Sequence, residues 1–160
     1  MNSSGKTNVI ASFITLAIIA LLIAAGPAGA LTLKVEHKGT EPFPQNSIIP
    51  IFAGLRLQPN EHLPIKNFSL YEEAEKQKAN ELCVFTVNGT ILKGCKGMII
   101  KVISQAKDSG YGFTDGTFLY NITLNVKENG LKFGSHKLSL VARTDSKFYL
   151  SPVDKIVIKP

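Results

Sequence analysis

Beyond residue 30 the chain alternates apolar and polar residues with a period of two, the signature of half-buried strands. Leu31, Leu33 and Val35 alternate with Thr32, Lys34 and Glu36. Phe118, Tyr120, Ile122, Leu124 and Val126 make one face of a long strand, with Leu119, Asn121, Thr123 and Asn125 on the other. Leu138, Leu140 and Ala142 form another inward face, and Val153, Ile156 and Ile158 close the chain. The run from Met98 to Ile103 is continuous and β-branched, which predicts a central strand. Ile48 to Leu57 is also apolar, but Pro50 and Gly54 interrupt it and predict an edge or bulged strand. Strands recur about every ten residues, the rhythm of an all-β sandwich or barrel.

One stretch departs from this period. Ser69-Leu70-Tyr71-Glu72 spells a capping box and is followed by Glu-Ala-Glu-Lys-Gln-Lys-Ala-Asn-Glu. Acids lead and lysines follow, as a helix dipole favours. The expectation is a short surface helix over 70–82, with a charged linker as the alternative. Before it, residues 31–66 hold Pro42, Pro44, Pro50, Pro59 and Pro64. They read either as an irregular lead-in or as a first pair of strands that completes the sheets.

The N-terminus has a different pattern. From Val9 to Ala25 no residue is charged; Lys6 precedes the run, and Gly26-Pro27-Ala28-Gly29-Ala30 follows it. A basic n-region, an apolar stretch and small residues at Ala28 and Ala30 make a secretory signal peptide, with cleavage after Ala30. A retained membrane anchor is the competing reading. It needs about 20 apolar residues, and that length would place Gly26, Pro27 and Gly29 inside the helix. Either way the remainder is expected to be extracytoplasmic, secreted or at the cell surface.

Removing 30 residues from 160 leaves 130, the size of one domain with a real core, 31–160. The chain carries 18 basic and 12 acidic residues; Lys6 is the only charge in the leader, so the rest is 17 minus 12, or +5. The lysines are scattered and only Arg56 and Arg143 supply guanidinium groups. Without an arginine cluster interleaved with aromatics, no nucleic-acid partner is expected.

Cys83 and Cys95 are the only cysteines. In an exported chain such a pair predicts a disulfide. Asn88-Gly89 lies between them, flanked by β-prone runs, and predicts a hairpin turn. Pairing outward sets Val87 opposite Thr90, Phe85 opposite Leu92 and Cys83 opposite Gly94; a bulge at Gly94 then brings the two sulfurs together.

Three sequons are present, at Asn67-Phe-Ser69, Asn88-Gly-Thr90 and Asn121-Ile-Thr123, each a candidate N-glycosylation site in an exported protein. The loop Asp108-Ser-Gly-Tyr111-Gly-Phe113-Thr-Asp115-Gly joins two expected core strands. Its aromatics on a glycine frame make Tyr111 and Phe113, with Asp108 and Asp115, the candidate binding loop. The spacing of these two acids matches no EF-hand, and no metal or other cofactor is expected. His37, His62 and His136 lie far apart, and no Gly-x-Ser-x-Gly elbow or phosphate-binding loop occurs. Catalysis is therefore not expected.

From Cys83 to Pro160 the succession is hairpin, strand, Gly-rich loop, TFLYNITLNV, a turn with Gly130 and Gly134, GSHKLSLVARTD and a final KIVIKP. This half resembles the immunoglobulin-like modules of prokaryotic cell-surface proteins. The resemblance implies an antiparallel β-sandwich engaged in adhesion, scaffolding or display, and no catalytic residues. The expected function is an exported binding or structural module that recognises a protein or glycan through its loops. The alternative is a self-associating subunit of an extracellular filament or envelope layer, with segment 36–64 donated as a strand to a neighbour.

Overall fold

The computed structural model describes residues 31–59 and 61–160; the expected signal segment, 1–30, lies outside the described residues. Strands in chain order are β1 (Leu31–His37), β2 (Phe43–Pro44), β3 (Ile48–Leu57), β4 (Asn67–Ala74), β5 (Asn80–Thr86), β6 (Ile91–Gly94) and β7 (Met98–Ser104). They continue with β8 (Lys107–Asp108), β9 (Phe113–Thr114), β10 (Gly116–Asn125), β11 (Gly134–Arg143), β12 (Phe148–Leu150) and β13 (Asp154–Lys159). One sheet has the order β1-β3-β10-β7. The other runs β2-β13-β11-β4-β5-β6, with β12 also on β11. Every pairing is antiparallel except the short contact of β2 with β13.

The period-two faces identified in the sequence point where the alternation sends them. Phe118, Tyr120, Ile122 and Leu124 of β10 are fully buried, as are Leu138, Leu140 and Ala142 of β11. The two sheets pack face to face through these residues. Phe68 of β4 lies at the centre, with ring centroids 5.6 Å from Phe118, 5.2 Å from Tyr120 and 5.8 Å from Phe85. The Tyr120 hydroxyl is buried too, and it donates to the Val87 carbonyl at 2.8 Å.

Four expectations are corrected. The segment 70–82 is not helical, and no helix occurs among the described residues. Residues 67–74 form β4 in the interior of the second sheet, and 75–79 turn into β5. The capping-box spelling misled because Glu72 occupies an inward position in the sequence Phe68, Leu70, Glu72, so a strand period read as a charged surface. Second, β3 is an interior strand between β1 and β10. Pro50 is tolerated there because its carbonyl, which accepts from Lys38 N at 2.8 Å, faces the side where β1 has already ended. Its missing N–H points the same way. Gly54 is required by close packing: a Cβ there would lie 2.5 Å from the Phe118 carbonyl oxygen.

Third, β7 is an edge strand, not a central one, and its outward Ile99 and Ile103 are exposed. Fourth, the Asn88-Gly89 turn closes differently. Thr86 N bonds Thr90 O at 2.9 Å and Gly89 N bonds Thr86 O at 2.9 Å, with Gly89 at φ +78. This three-residue loop pairs Phe85 with Ile91 rather than Leu92. Leu92 is then the extra residue, and it restores Cys83 opposite Gly94. Of the two readings of 31–66, the first pair of strands holds, since β1 and β3 complete the first sheet.

Cys83 and Cys95 are joined as a disulfide, with Cα atoms 4.2 Å apart and both residues buried. The bond closes the β5–β6 hairpin across twelve positions. Replacing both cysteines by alanine should lower unfolding stability by about 2–3 kcal/mol, the chain-entropy worth of so short a loop. Urea denaturation of the full chain under oxidising conditions measures it. A double variant as stable as the parent would show that the ladder holds the hairpin unaided.

Candidate functional site

The expected binding loop is a small hairpin of its own. β8 and β9 pair Lys107 with Thr114 and Asp108 with Phe113. At its tip Ser109 N and Ser109 Oγ both bond the Gly112 carbonyl, at 3.1 and 2.9 Å, and Asp108 Oδ1 accepts from Gly110 N at 2.8 Å. Gly110 and Gly112 have φ of +81 and +131, which favours glycine at both places. The hairpin is anchored to the body through reciprocal bonds between Phe113 and Leu63, 3.0 and 3.2 Å.

These ties separate the two aromatics. Phe113 turns inward and meets Phe118 edge-on at 4.9 Å, so the expectation that it is displayed for recognition is corrected. Tyr111 points outward and is 89 % exposed. Beside it runs an open groove of 330 Å³ lined by Pro64, Ile65, Lys66 and Asp108 as well as the hairpin tip. Asp108 is engaged in its turn, while Asp115 is an exposed residue at φ +45. Among the described residues no three His, Cys, Asp or Glu side chains gather in a way that could hold a metal ion.

The sequon asparagines differ in setting. Asn88 is exposed at the β5–β6 turn, and its Oδ1 accepts from Gln105 Nε2 at 2.9 Å. Asn67 and Asn121 are half-buried, each with a buried Oδ1 that has no hydrogen-bond partner. Asn121 lies mid-sheet, opposite Phe52 and Lys101, and Ser69 of the Asn67 sequon is fully buried.

Three polar clusters escaped the sequence reading. His136 and Glu72 face each other inside the second sheet, Nδ1 to Oε1 2.6 Å, with side chains 3 % and 9 % exposed. The other ring nitrogen, Nε2, meets the Lys132 carbonyl at 2.7 Å. With both nitrogens engaged, the imidazole serves to fix the carboxylate. His37 Nδ1 bonds Asp154 Oδ2 at 2.8 Å, linking the end of β1 to the start of β13, and its Nε2 lies 3.9 Å from Glu41. On the outer face of the second sheet Arg143 donates to the Tyr71 hydroxyl, which donates to Glu81, both at 2.8 Å. The Tyr71 bond, seconded by Lys93, holds the Glu81 carboxyl below its ordinary range. Burial and the Glu81 charge push the Tyr71 phenol up. Only the long-range pairing of β4 with β11 brings most of these groups together, so no local spacing announced them.

A second groove, of 370 Å³, crosses the outer face of the first sheet over Gly54, with Phe52, Leu119 and Arg56 along it. Hydrogen bonds from Lys34 and Lys38 hold Glu36, on its rim, down at about 2. No protein-family model matches this chain, and comparison with the curated proteins finds no relative.

Proposed function

We propose that this chain is an exported, non-catalytic binding module of the cell surface that recognises a protein or glycan with the β8–β9 hairpin. The observation that carries the reading is Tyr111, 89 % exposed on a frame already ordered by backbone and side-chain bonds. A large amphipathic ring presented without a loop to order is what a recognition surface needs. An oxidised Cys83–Cys95 pair suits an oxidising compartment outside the cytoplasm. The segment from Val9 to Ala25 supplies export, followed by release after Ala30 or retention as a membrane anchor. Immunoglobulin-like topology is part of the proposal: two antiparallel sheets pack together, and the chain closes with β11 and β13 paired in the second of them, Gly134 opening β11. Its cysteines sit in one edge hairpin and not across the sheets. Of the sequons, Asn88 is the one with room for a glycan.

Tyr111→Ala tests this. Glycan arrays and envelope fractions of the source cells should retain the parent chain and lose at least about tenfold in binding to the variant, with thermal stability unchanged. Equal binding by both would overturn the role of the hairpin.

The filament alternative is favoured by one feature only, the open edges β6 and β7, where Ile91, Leu92, Ile99 and Ile103 are exposed. Segment 36–64 contributes β2 and β3 to the sheets of its own domain. Sizing of the native protein separates the two readings.

A further inference from the structure

We propose that the pocket beside Glu72 binds a carboxylate-bearing polyol, an acidic sugar of the uronate class. It lies beyond the end of β4 opposite the Tyr111 hairpin, between the β4–β5 turn and the segment joining β10 to β11, and it is independent of that hairpin. Its volume is 220 Å³, the scale of one sugar ring rather than of a peptide or nucleotide. At its floor Glu72 is only 7 % exposed. Oε1 is bound to His136 Nδ1, and the second carboxylate oxygen has no hydrogen-bond partner among the described residues. His136 has no nitrogen left for a ligand, so it orients Glu72 and nothing more.

The remaining lining groups define the ligand by elimination. Asn129 spends its Nδ2 on the Lys96 and Asn125 carbonyls, at 2.7 and 2.8 Å, and its Oδ1 is left to accept. Gln77 and Asn80 offer side-chain amides, which both donate and accept. Lys78 and Lys132 are exposed on the rim and form no ion pair among the described residues. A divalent cation would find one carboxylate against two ammonium groups. A bare inorganic anion would meet the lysines but donate nothing to the acceptor oxygens of Glu72 and Asn129, and an amine would be repelled by the lysines. Hydroxyls that donate to Glu72 and Asn129, combined with a carboxylate that meets the lysines, satisfy every group at once.

The experiment is a titration of the isotopically labelled full chain, followed by NMR, with glucuronate, glucose, acetate and sulfate. Glucuronate should give saturable shifts at the amides of Gln77, Asn80 and Lys132, with glucose and acetate each about tenfold weaker or worse, as expected from losing charge-assisted or hydroxyl contacts. Replacing Lys78 and Lys132 together by alanine should weaken glucuronate by about tenfold or more without changing the fold, since both side chains are exposed and unpaired. Glu72→Gln should weaken it too, but this variant also perturbs a buried pair, so the lysine variant decides. Absence of saturation by glucuronate overturns the proposal. So does equal binding of sulfate or glucose, or glucuronate binding that ignores the lysine change.

Discussion

Phe68→Ala is expected to lower the unfolding free energy by about 3–5 kcal/mol, the largest loss of any single core truncation in this chain. Phe68 is fully buried and is the ring at which the two sheets meet, touching Phe85 of its own sheet and Phe118 and Tyr120 of the other. Truncation removes its transfer energy and leaves a cavity walled by three other aromatics. Phe118 and Tyr120 are held by β10 of one sheet and Phe85 by β5 of the other, so the paired backbones keep these rings from closing in and the cavity term persists. Phe148→Ala is the control: that ring is 68 % exposed, and its loss should stay within about 0.5 kcal/mol. Urea denaturation with tyrosine fluorescence measures both. A Phe68 variant within about 1 kcal/mol of the parent would mean that the sheets do not meet through this ring.

The residues around Phe68 also show what could be read without a structure. Strands whose inward positions are all apolar declared themselves: β10 with Phe118, Tyr120, Ile122 and Leu124, β11 with Leu138, Leu140 and Ala142, and β1 with Leu33 and Val35. The disulfide was legible because Cys83 and Cys95 flank a turn and their pairing is local. Where a strand buries a charge, the pattern failed. β4 reads Phe68, Leu70, Glu72 on its inner face, and the carboxylate broke the alternation just where helix-forming residues began. Its compensating partner, His136, is 64 positions away, and only the β4–β11 register unites them.

Sheet order was illegible for a related reason. β3 and β7 are both apolar runs, and their composition does not say which has neighbours on two sides. Pro50 suggested an edge for β3, but the proline lies past the end of β1 and costs that ladder no bond. β7 suggested a centre, yet its outward Ile99, Lys101 and Ile103 face solvent. The candidate hairpin was legible as a glycine-framed loop. That Phe113 packs on Phe118 while Tyr111 stands free depended on the bridge to Leu63, roughly 50 positions upstream, which local reading cannot supply.

The buried pair in β4 and β11 yields the second large effect. Glu72→Leu or His136→Leu alone should each lower stability by about 3–5 kcal/mol, because each leaves one polar partner unpaired in the interior. Removing Glu72 strands the ring nitrogen Nδ1; removing His136 strands the carboxylate and also the Lys132 carbonyl that Nε2 satisfies at 2.7 Å. The His136 variant should therefore be the worse of the two. Changing both to leucine removes the stranded ring nitrogen and the stranded carboxylate and adds apolar area beside Leu70 and Leu138, but it still leaves the Lys132 carbonyl without its partner, so the double variant should fall only about 1–2 kcal/mol below the parent. The coupling free energy from the complete cycle should be strongly favourable, about 4 kcal/mol or more, because two single losses of about 3–5 kcal/mol each shrink to about 1–2 kcal/mol in the double variant. If the two single losses simply add, the pair is solvated through the neighbouring pocket and contributes as a surface ion pair would. If they couple, the chain maintains a buried, oriented carboxylate that a leucine pair could replace at little cost in stability. Its retention at the floor of a polar pocket would then reflect what the pocket binds.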